Sequence, residues 1–151
     1  MRNALPHDWV WITESCTAVA VWVPPDWDEL TERPNKHLPL LRKLIGDRVA
    51  EVMPVLERYA EARPTDKPHY YMTFLGTAPI ARGRGLARRL LADNLARIDD
   101  ERMPACLAVS NDAARRLYLE AGFSTIDSFP VLDGRLRVTT MWRDAKTVLL
   151  A

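Results

Sequence analysis

Two short stretches of the chain combine residue types that bind anions or transfer protons. In the first, Gly83 and Gly85 stand directly before an apolar helical pattern that begins at Leu86. The first turn of a helix has backbone N–H groups without intrahelical partners, and with the helix dipole they attract an anion. Because glycine has no Cβ, a phosphate can approach its backbone closely. The stretch predicts a phosphate site, and an ordinary glycine turn is the alternative.

Arginines surround these glycines at the predicted start of the helix, where positive charge is normally unfavourable. They are Arg82, Arg84, Arg88 and Arg89, and the small Ala87 lies among them. An anionic ligand bound there would lower the electrostatic cost of the cluster. The alternative interpretation is that the arginines serve only solubility. The stretch lacks the Gly-Lys-Ser/Thr of nucleoside-triphosphate loops and the third glycine of dinucleotide sites.

The second stretch begins at the end of a predicted strand and continues into a helix. Asn111 can cap this helix. Tyr118 follows about two turns later, so that both side chains can face the same side. A tyrosine hydroxyl can protonate a leaving thiolate, because its reference pKa of about 10 is not far above that of a thiol. A capping asparagine with a packed core tyrosine is the alternative.

The elements that must position these residues follow from the hydrophobic pattern. Strands are predicted at 9–13, 17–23, 69–77 and 105–110, from 123 onward, and at 136–142; helices are predicted at 38–61, 86–98 and 111–121. Gly46 and Pro54 predict two short helices or one kinked helix within 38–61. The order of strands and helices predicts a mixed α/β or α+β sheet domain.

Length and composition limit the classes of function. The 151 residues predict one domain over 1–151, and 48% apolar with 27% charged residues is a globular composition. A net charge of +1 argues against nucleic acid or a membrane surface as the main partner. Cys16 and Cys106 lack CxxC spacing, so no metal site is expected. We expect two reduced, mostly buried thiols in a cytoplasmic protein.

The two stretches together resemble motifs of the GNAT N-acetyltransferase superfamily. The stretch Arg82-Gly83-Arg84-Gly85-Leu86-Ala87 is similar to its Gln/Arg-x-x-Gly-x-Gly/Ala pyrophosphate loop. The pattern Asn111-x-x-Ala114-x-x-x-Tyr118-x-x-x-Gly122-Phe123 is similar to its downstream helix motif. More finely, the chain looks like the bacterial branch typified by puromycin N-acetyltransferase, over roughly residues 9 to 144. The resemblance implies a mixed, mostly antiparallel sheet with one splayed parallel strand pair, flanked by helices.

The resemblance also implies a ligand and the residues that hold it. Acetyl-CoA would lie where the strands that end near Thr77 and Ser110 splay apart. Backbone amides of residues 82–87 would bind its pyrophosphate. Backbone groups of Leu75 and Thr77 would pair with the pantetheine arm like an added strand. Asn111 would form a hydrogen bond with the same arm.

The implied reaction moves an acetyl group to the amine of a small molecule. The amine would attack the thioester directly while Tyr118 protonates the departing CoA thiolate. Many relatives place a carboxylate base on the strand that here spans 69–74, and this strand contains none. His69 is a candidate base and Glu14 and His7 are weaker ones, but a structural role is the preferred interpretation for each.

A second departure from the family pattern lies at the N-terminus. Family domains usually begin with a strand and two helices before the hairpin that here starts at Trp9, and those helices wall the acceptor pocket. The chain is expected to be a shortened product, a mis-assigned start, a domain completed by a partner chain or a degenerate enzyme. An uncovered sheet edge would favour a homodimer. The alternative functions are a non-catalytic acyl-CoA-binding or partner-completed module and an unrelated α/β nucleotide-binding protein.

Overall fold

The computed structural model describes residues 9–26 and 38–146. Within these ranges six strands form one sheet, and α-helices flank it. The strands are β1 (Val10–Ile12), β2 (Ala18–Val23), β3 (Tyr70–Thr77), β4 (Ala105–Val109), β5 (Ser124–Val131) and β6 (Leu136–Arg143). The helices are α1 (Leu38–Ile45), α2 (Val49–Glu61), α3 (Leu86–Asp100) and α4 (Asp112–Glu120). The predicted fold class and the order of its elements are confirmed.

The sheet is antiparallel except at one strand pair. Its order is β1-β2-β3-β4-β6-β5, and β3 and β4 are the parallel neighbours. Their pairing runs from Tyr70 opposite Ala105 to Met72 opposite Leu107 and then stops. Since β3 continues to Thr77, its last residues have no partner on the β4 side. This opening, which we call the gap, corresponds to the splayed pair that the sequence predicts.

Helices cover the two faces of the sheet. Side chains alternate between the faces along a strand. Leu107 and Val109 of β4 belong to the core under α3 and α4, whereas the intervening Ala108 packs with the cluster under α2. That second cluster contains Phe129 and Val138. We call these surfaces the α3 face and the α2 face.

The helical segment 38–61 is divided as predicted. Gly46 adopts φ +57° and begins a short 3-10 turn between α1 and α2. Pro54 lies inside α2 without ending it. The break therefore occurs at the glycine, which enters the left-handed region without steric cost. None of the helices in the described ranges is long and apolar enough to cross a bilayer.

The prediction of mostly buried cysteines is wrong for one of the two. Cys106 is fully buried in β4 as expected. Cys16 is exposed instead, because it lies in the turn between β1 and β2, where it adopts φ +52°. Both are free thiols, and burial raises the pKa of the Cys106 thiol to about 12.

An ion pair ties the end of α3 to the end of β6. Arg143 donates two hydrogen bonds of 2.7 Å to the carboxylate of Asp99, and the Lys146 backbone N–H donates a third at 2.8 Å. Burial alone would raise the pKa of Asp99, but these hydrogen bonds outweigh burial and lower it. The pair holds the two elements together in a largely water-excluded place.

Candidate functional site

The loop between β3 and α3 has the backbone geometry of an anion site. Gly83 adopts φ +76°, and Gly85 adopts φ +72° as the residue before the first turn of α3. No side chain caps this end of the helix. A Cβ added at either glycine would meet no atom within 4 Å. The space beside the glycines is therefore open, and a larger residue would both strain the backbone and occupy that space.

The four arginines near this loop have different surroundings. Arg88 forms an ion pair with Glu120 of α4, so its charge is directed toward that helix. Arg89 donates a 3.2 Å hydrogen bond to the carbonyl oxygen of Arg84. Arg82 and Arg84 form no ion pair with any residue in the described ranges and stand on either side of Gly83. The cationic cluster at the glycines is thus smaller than the sequence suggests.

The unpaired end of β3 directs backbone groups into the gap. In an antiparallel pair, the residues that exchange hydrogen bonds with the partner alternate along the strand. The Ala78 N–H donates to the carbonyl oxygen of Thr17 at 2.7 Å, so Ala78 and Gly76 point toward the β2 side. Leu75 and Thr77 consequently direct their N–H and C=O groups to the opposite side, into the gap. This is the orientation that the predicted pairing with an extended ligand requires.

Asn111 and Tyr118 lie at the beginning and near the end of α4. The Asn111 Oδ1 accepts a 2.8 Å hydrogen bond from the Ala114 N–H, so the predicted cap is confirmed and the side-chain amide donors are not used by it. Tyr118 is 7% exposed, and its ring packs against Phe123 with centroids 6.0 Å apart. Burial raises the pKa of Tyr118 to about 12. Its hydroxyl stays protonated at neutral pH, so it can donate a proton, and the raised pKa makes it a weaker acid than a free phenol.

His69 has the contacts of a structural histidine. It is 4% exposed, its Nδ1 donates to the Lys67 carbonyl oxygen at 2.7 Å, and its Nε2 accepts from Arg63 Nε at 3.3 Å. Burial lowers the pKa of the imidazole. It precedes β3, whereas the gap opens toward the other end of that strand. Glu14 is exposed in the β1–β2 turn, and His7 lies outside the described residues.

Tyr59 of α2 is a residue whose position the sequence did not predict. Its ring packs edge-on against Phe129 with centroids 6.2 Å apart. Burial raises the pKa of Tyr59, and the Ser110 side chain partly opposes that rise. The sequence shows Tyr59 as one member of the apolar stripe of this helix. The sequence signal for its position is the hydroxyl group, because a buried tyrosine hydroxyl usually has a hydrogen-bond partner.

Comparison with known protein families identifies the chain. It matches the model of the acetyltransferase (GNAT) family over residues 7–123. The chain belongs to the GNAT acetyltransferase family. The predicted puromycin-like branch stays a prediction, because this match does not separate branches.

Solved structures share the GNAT fold to different extents. The histone acetyltransferase HPA2 and related acetyltransferase from Corynebacterium glutamicum is 21% identical, with a TM-score of 0.63 over 99% of this chain and 74% of that one. The polyamine N-acetyltransferase of Drosophila melanogaster, which forms N-acetylagmatine, is 19% identical, with a TM-score of 0.64 over 94% and 77%. The ribosomal-protein-S18-alanine N-acetyltransferase from Escherichia coli is 23% identical, with a TM-score of 0.47. That last match covers 53% of this chain and spans 56% of the other.

Most of the residues that the sequence predicts for the site lie around the gap. Leu75, Thr77 and the loop 82–87 lie together at the end of β3, and Asn111 follows the end of β4 across the gap. Leu86 and Ala87 form the half-buried first turn of α3. Tyr118 lies two turns along α4 and packs in the core of the α3 face. His69 and Arg88 are engaged elsewhere.

Proposed function

We propose that this GNAT protein transfers the acetyl group of acetyl-CoA to the amine of a small molecule. The single observation that carries the proposal is the open glycine backbone at the start of α3, adjoining a strand end whose hydrogen-bonding groups face the gap. The first element suits a pyrophosphate and the second suits an extended amide-bearing chain. CoA contains both a pyrophosphate and an extended chain of this kind.

The binding residues follow from this fit. The backbone N–H groups of residues 82–87 would bind the pyrophosphate, with Arg82 and Arg84 supplying positive charge. Backbone groups of Leu75 and Thr77 would pair with the pantetheine arm. The side-chain amide of Asn111 would donate to the same arm while its oxygen continues to cap α4. When bound, acetyl-CoA supplies a thioester carbonyl as the electrophile.

The proton needed for the departing thiolate would come from Tyr118. Its raised pKa of about 12 keeps the phenol protonated wherever the enzyme is expected to work. The amine nitrogen forms a bond to the acetyl carbon as the C–S bond breaks, and the sulfur takes the tyrosine proton. The proton that the nitrogen loses as it becomes an amide would pass through water and restore the phenol of Tyr118. The protein mainly orients the two reactants. Since His69 has partners at both ring nitrogens, the acceptor would react as the free amine, and turnover should rise with pH through the acceptor's pKa.

A non-catalytic acyl-CoA-binding module is the second candidate function. It is favoured by the occupied nitrogens of His69, which leave that residue unable to accept a proton from an amine. The two functions share the CoA site and differ in turnover. They are separated by a measurement of thiol release.

The test is a thiol-release assay with acetyl-CoA and a panel of primary amines that includes agmatine and puromycin. The enzyme proposal expects at least one amine to release CoA above the rate of hydrolysis, with the N-acetylated amine found by mass spectrometry. Binding of acetyl-CoA without release for any amine would favour the binding module. Absence of binding would contradict both functions.

A further inference from the structure

A β-bulge in β3 turns Phe74 onto the α2 face of the sheet. Phe74 lies opposite Val21 of β2. The next residue of β2, Trp22, lies opposite Met72, so Thr73 is left over as the bulged residue. Trp22 and Met72 belong to the core of the α3 face, so Val21 and its register partner Phe74 lie on the other face. There the Phe74 side chain remains 48% exposed.

The ring of Phe74 lies along β3, over Gly76. A Cβ added at Gly76 would stand 2.7 Å from Cε1 and 2.9 Å from Cζ of that ring, closer than side chains tolerate. Gly76 is not among the glycines with positive φ. The position therefore requires a missing side chain rather than an unusual backbone, as a strand glycine does where another group approaches closely. Glycine here leaves the space that the ring occupies.

The Phe74 ring lines an open groove, which we call the Phe74 groove. Its volume is about 540 Å³, within the range of small-molecule sites. The groove lies over the ends of β2 and β3, beside the gap. Leu75 and Thr77, whose backbone groups face the gap, also line it, and so does Arg82 of the loop before α3. The groove therefore adjoins the place where we propose that the arm of acetyl-CoA binds.

The described residues that line the Phe74 groove include no carboxylate. They are apolar or uncharged except for Arg82. Glu14 is exposed in the neighbouring β1–β2 turn and is not one of them. A positive charge on the body of an acceptor would meet no counter-charge here and would be repelled by Arg82. An apolar body would instead bury surface against Phe74 and Val19.

We propose that the Phe74 groove binds the body of the acceptor amine and selects a monoamine with a neutral aromatic body over a polyamine. The inference rests on the proposed function. A pantetheine arm that starts at the loop 82–87 and runs past Thr77 and then Leu75 carries its thioester toward Phe74, the next residue along β3. An amine whose body contacts the Phe74 ring has its nitrogen near that thioester, which is a gain of orientation. Phe74 is thus a specificity-determining residue.

Two bisubstrate analogues test this preference without requiring turnover. In each, the CoA sulfur carries a CH2–C(=O) linker whose carbonyl forms an amide with the amine, 2-phenylethylamine in one analogue and agmatine in the other. Because the CoA parts are identical, the ratio of the two dissociation constants, measured by calorimetry, depends on the acceptor body alone. We expect the parent to bind the phenylethyl analogue about tenfold more tightly than the agmatine analogue.

Two variants change the ring in different ways. Phe74→Ala removes it from an exposed position, and Gly76→Ala displaces it because the added Cβ occupies its place. Both should bring the ratio close to one. The matched control is Ile12→Ala, which removes a 56% exposed apolar side chain opposite Val19 that does not line the groove. It should retain the tenfold preference, and all three variants should bind CoA itself like the parent.

The possible results distinguish the inference from the function beneath it. If the parent binds CoA but prefers the agmatine analogue or binds both alike, the role of the groove is wrong while the CoA site stands. A preference that Phe74→Ala leaves unchanged would overturn the role of the ring in the same way. If the parent binds neither CoA nor either analogue, the proposed function fails and the inference fails with it.

Discussion

Met72 of β3 and Leu107 of β4 form the last register pair of the parallel pairing in the described sheet. Beyond them, β3 runs for five more residues, to Thr77, without a β4 partner. Backbone polar groups need partners wherever water is excluded. The end of this pairing therefore creates an edge inside a sheet, and an extended ligand can complete it. The gap is the structural feature that connects the fold to the proposed binding of acyl-CoA.

Replacing the proposed acid tests the proton transfer. Tyr118→Phe should lower kcat about 100-fold, the usual contribution of a general acid, and leave acetyl-CoA affinity unchanged. Because the pKa of Tyr118 is raised to about 12, ionisation of this residue should cause no loss of activity between about pH 7 and pH 10. Steady-state kinetics with calorimetry on the same samples measures both quantities. Full turnover of the variant near neutral pH would rule out Tyr118 as the acid.

The Asp99–Arg143 pair should be important for stability. The side chains are 12% and 4% exposed, so Asp99→Asn leaves a buried guanidinium without its counter-charge. We expect a loss of about 3 kcal/mol in the free energy of unfolding at pH 7, measured by urea denaturation. The exposed Arg88–Glu120 pair is the control, and Glu120→Gln should cost less than about 1 kcal/mol.

The pH dependence of that stability follows from the lowered pKa of Asp99. A carboxyl whose pKa is lower in the folded state stabilises the fold above its unfolded pKa of about 3.9 and ceases to do so as pH falls through the folded pKa. The difference between the parent and Asp99→Asn should be constant above about pH 5 and should shrink below about pH 4. A difference that stays constant down to pH 2 would mean that the carboxylate is not the source of the effect.

The two thiols should react very differently. Cys16 is exposed, whereas Cys106 is fully buried with its pKa raised to about 12. Ellman's reagent should titrate one thiol rapidly in the native protein and the second after denaturation, since the thiolate is the reactive form. Cys16→Ser should abolish the rapid phase. Two rapid thiols in the native parent would disagree with the burial of Cys106.

Local structure was largely predictable from the sequence, because its signals are local. The helical spacing of apolar residues from Leu86 onward predicted α3, and Asn111 predicted the start of α4. The structure contains both, with Asn111 capping α4. Gly83 and Gly85 indicated positive φ before the helix, and both have it. In each case one or two neighbouring residues determine the backbone conformation.

Relationships across the sheet were not predictable. Tyr59 had the same spacing as its apolar neighbours, and nothing in that spacing says which face α2 covers or that the ring packs against Phe129. His69 was a candidate base, but both of its ring nitrogens form hydrogen bonds, one with Arg63 and one with Lys67. The sequence placed Arg88 in the cationic cluster, but in the structure it forms an ion pair with Glu120 of α4. The outcomes for Tyr59 and Arg88 depend on contacts between residues far apart in the sequence, and the outcome for His69 depends on how the loop before β3 folds. Sequence spacing specifies neither.

Acetyl-CoA binding by the loop before α3 is the central claim, and calorimetry of Gly85→Glu against Gly134→Glu tests it most directly. Both glycines have positive φ and open space beside them, but Gly134 lies in the β5–β6 turn and not in the loop before α3. The account predicts that the parent and Gly134→Glu bind acetyl-CoA alike, whereas Gly85→Glu loses about 100-fold or more in affinity, because its carboxylate takes the place of the pyrophosphate. Equal affinity of all three proteins would contradict it.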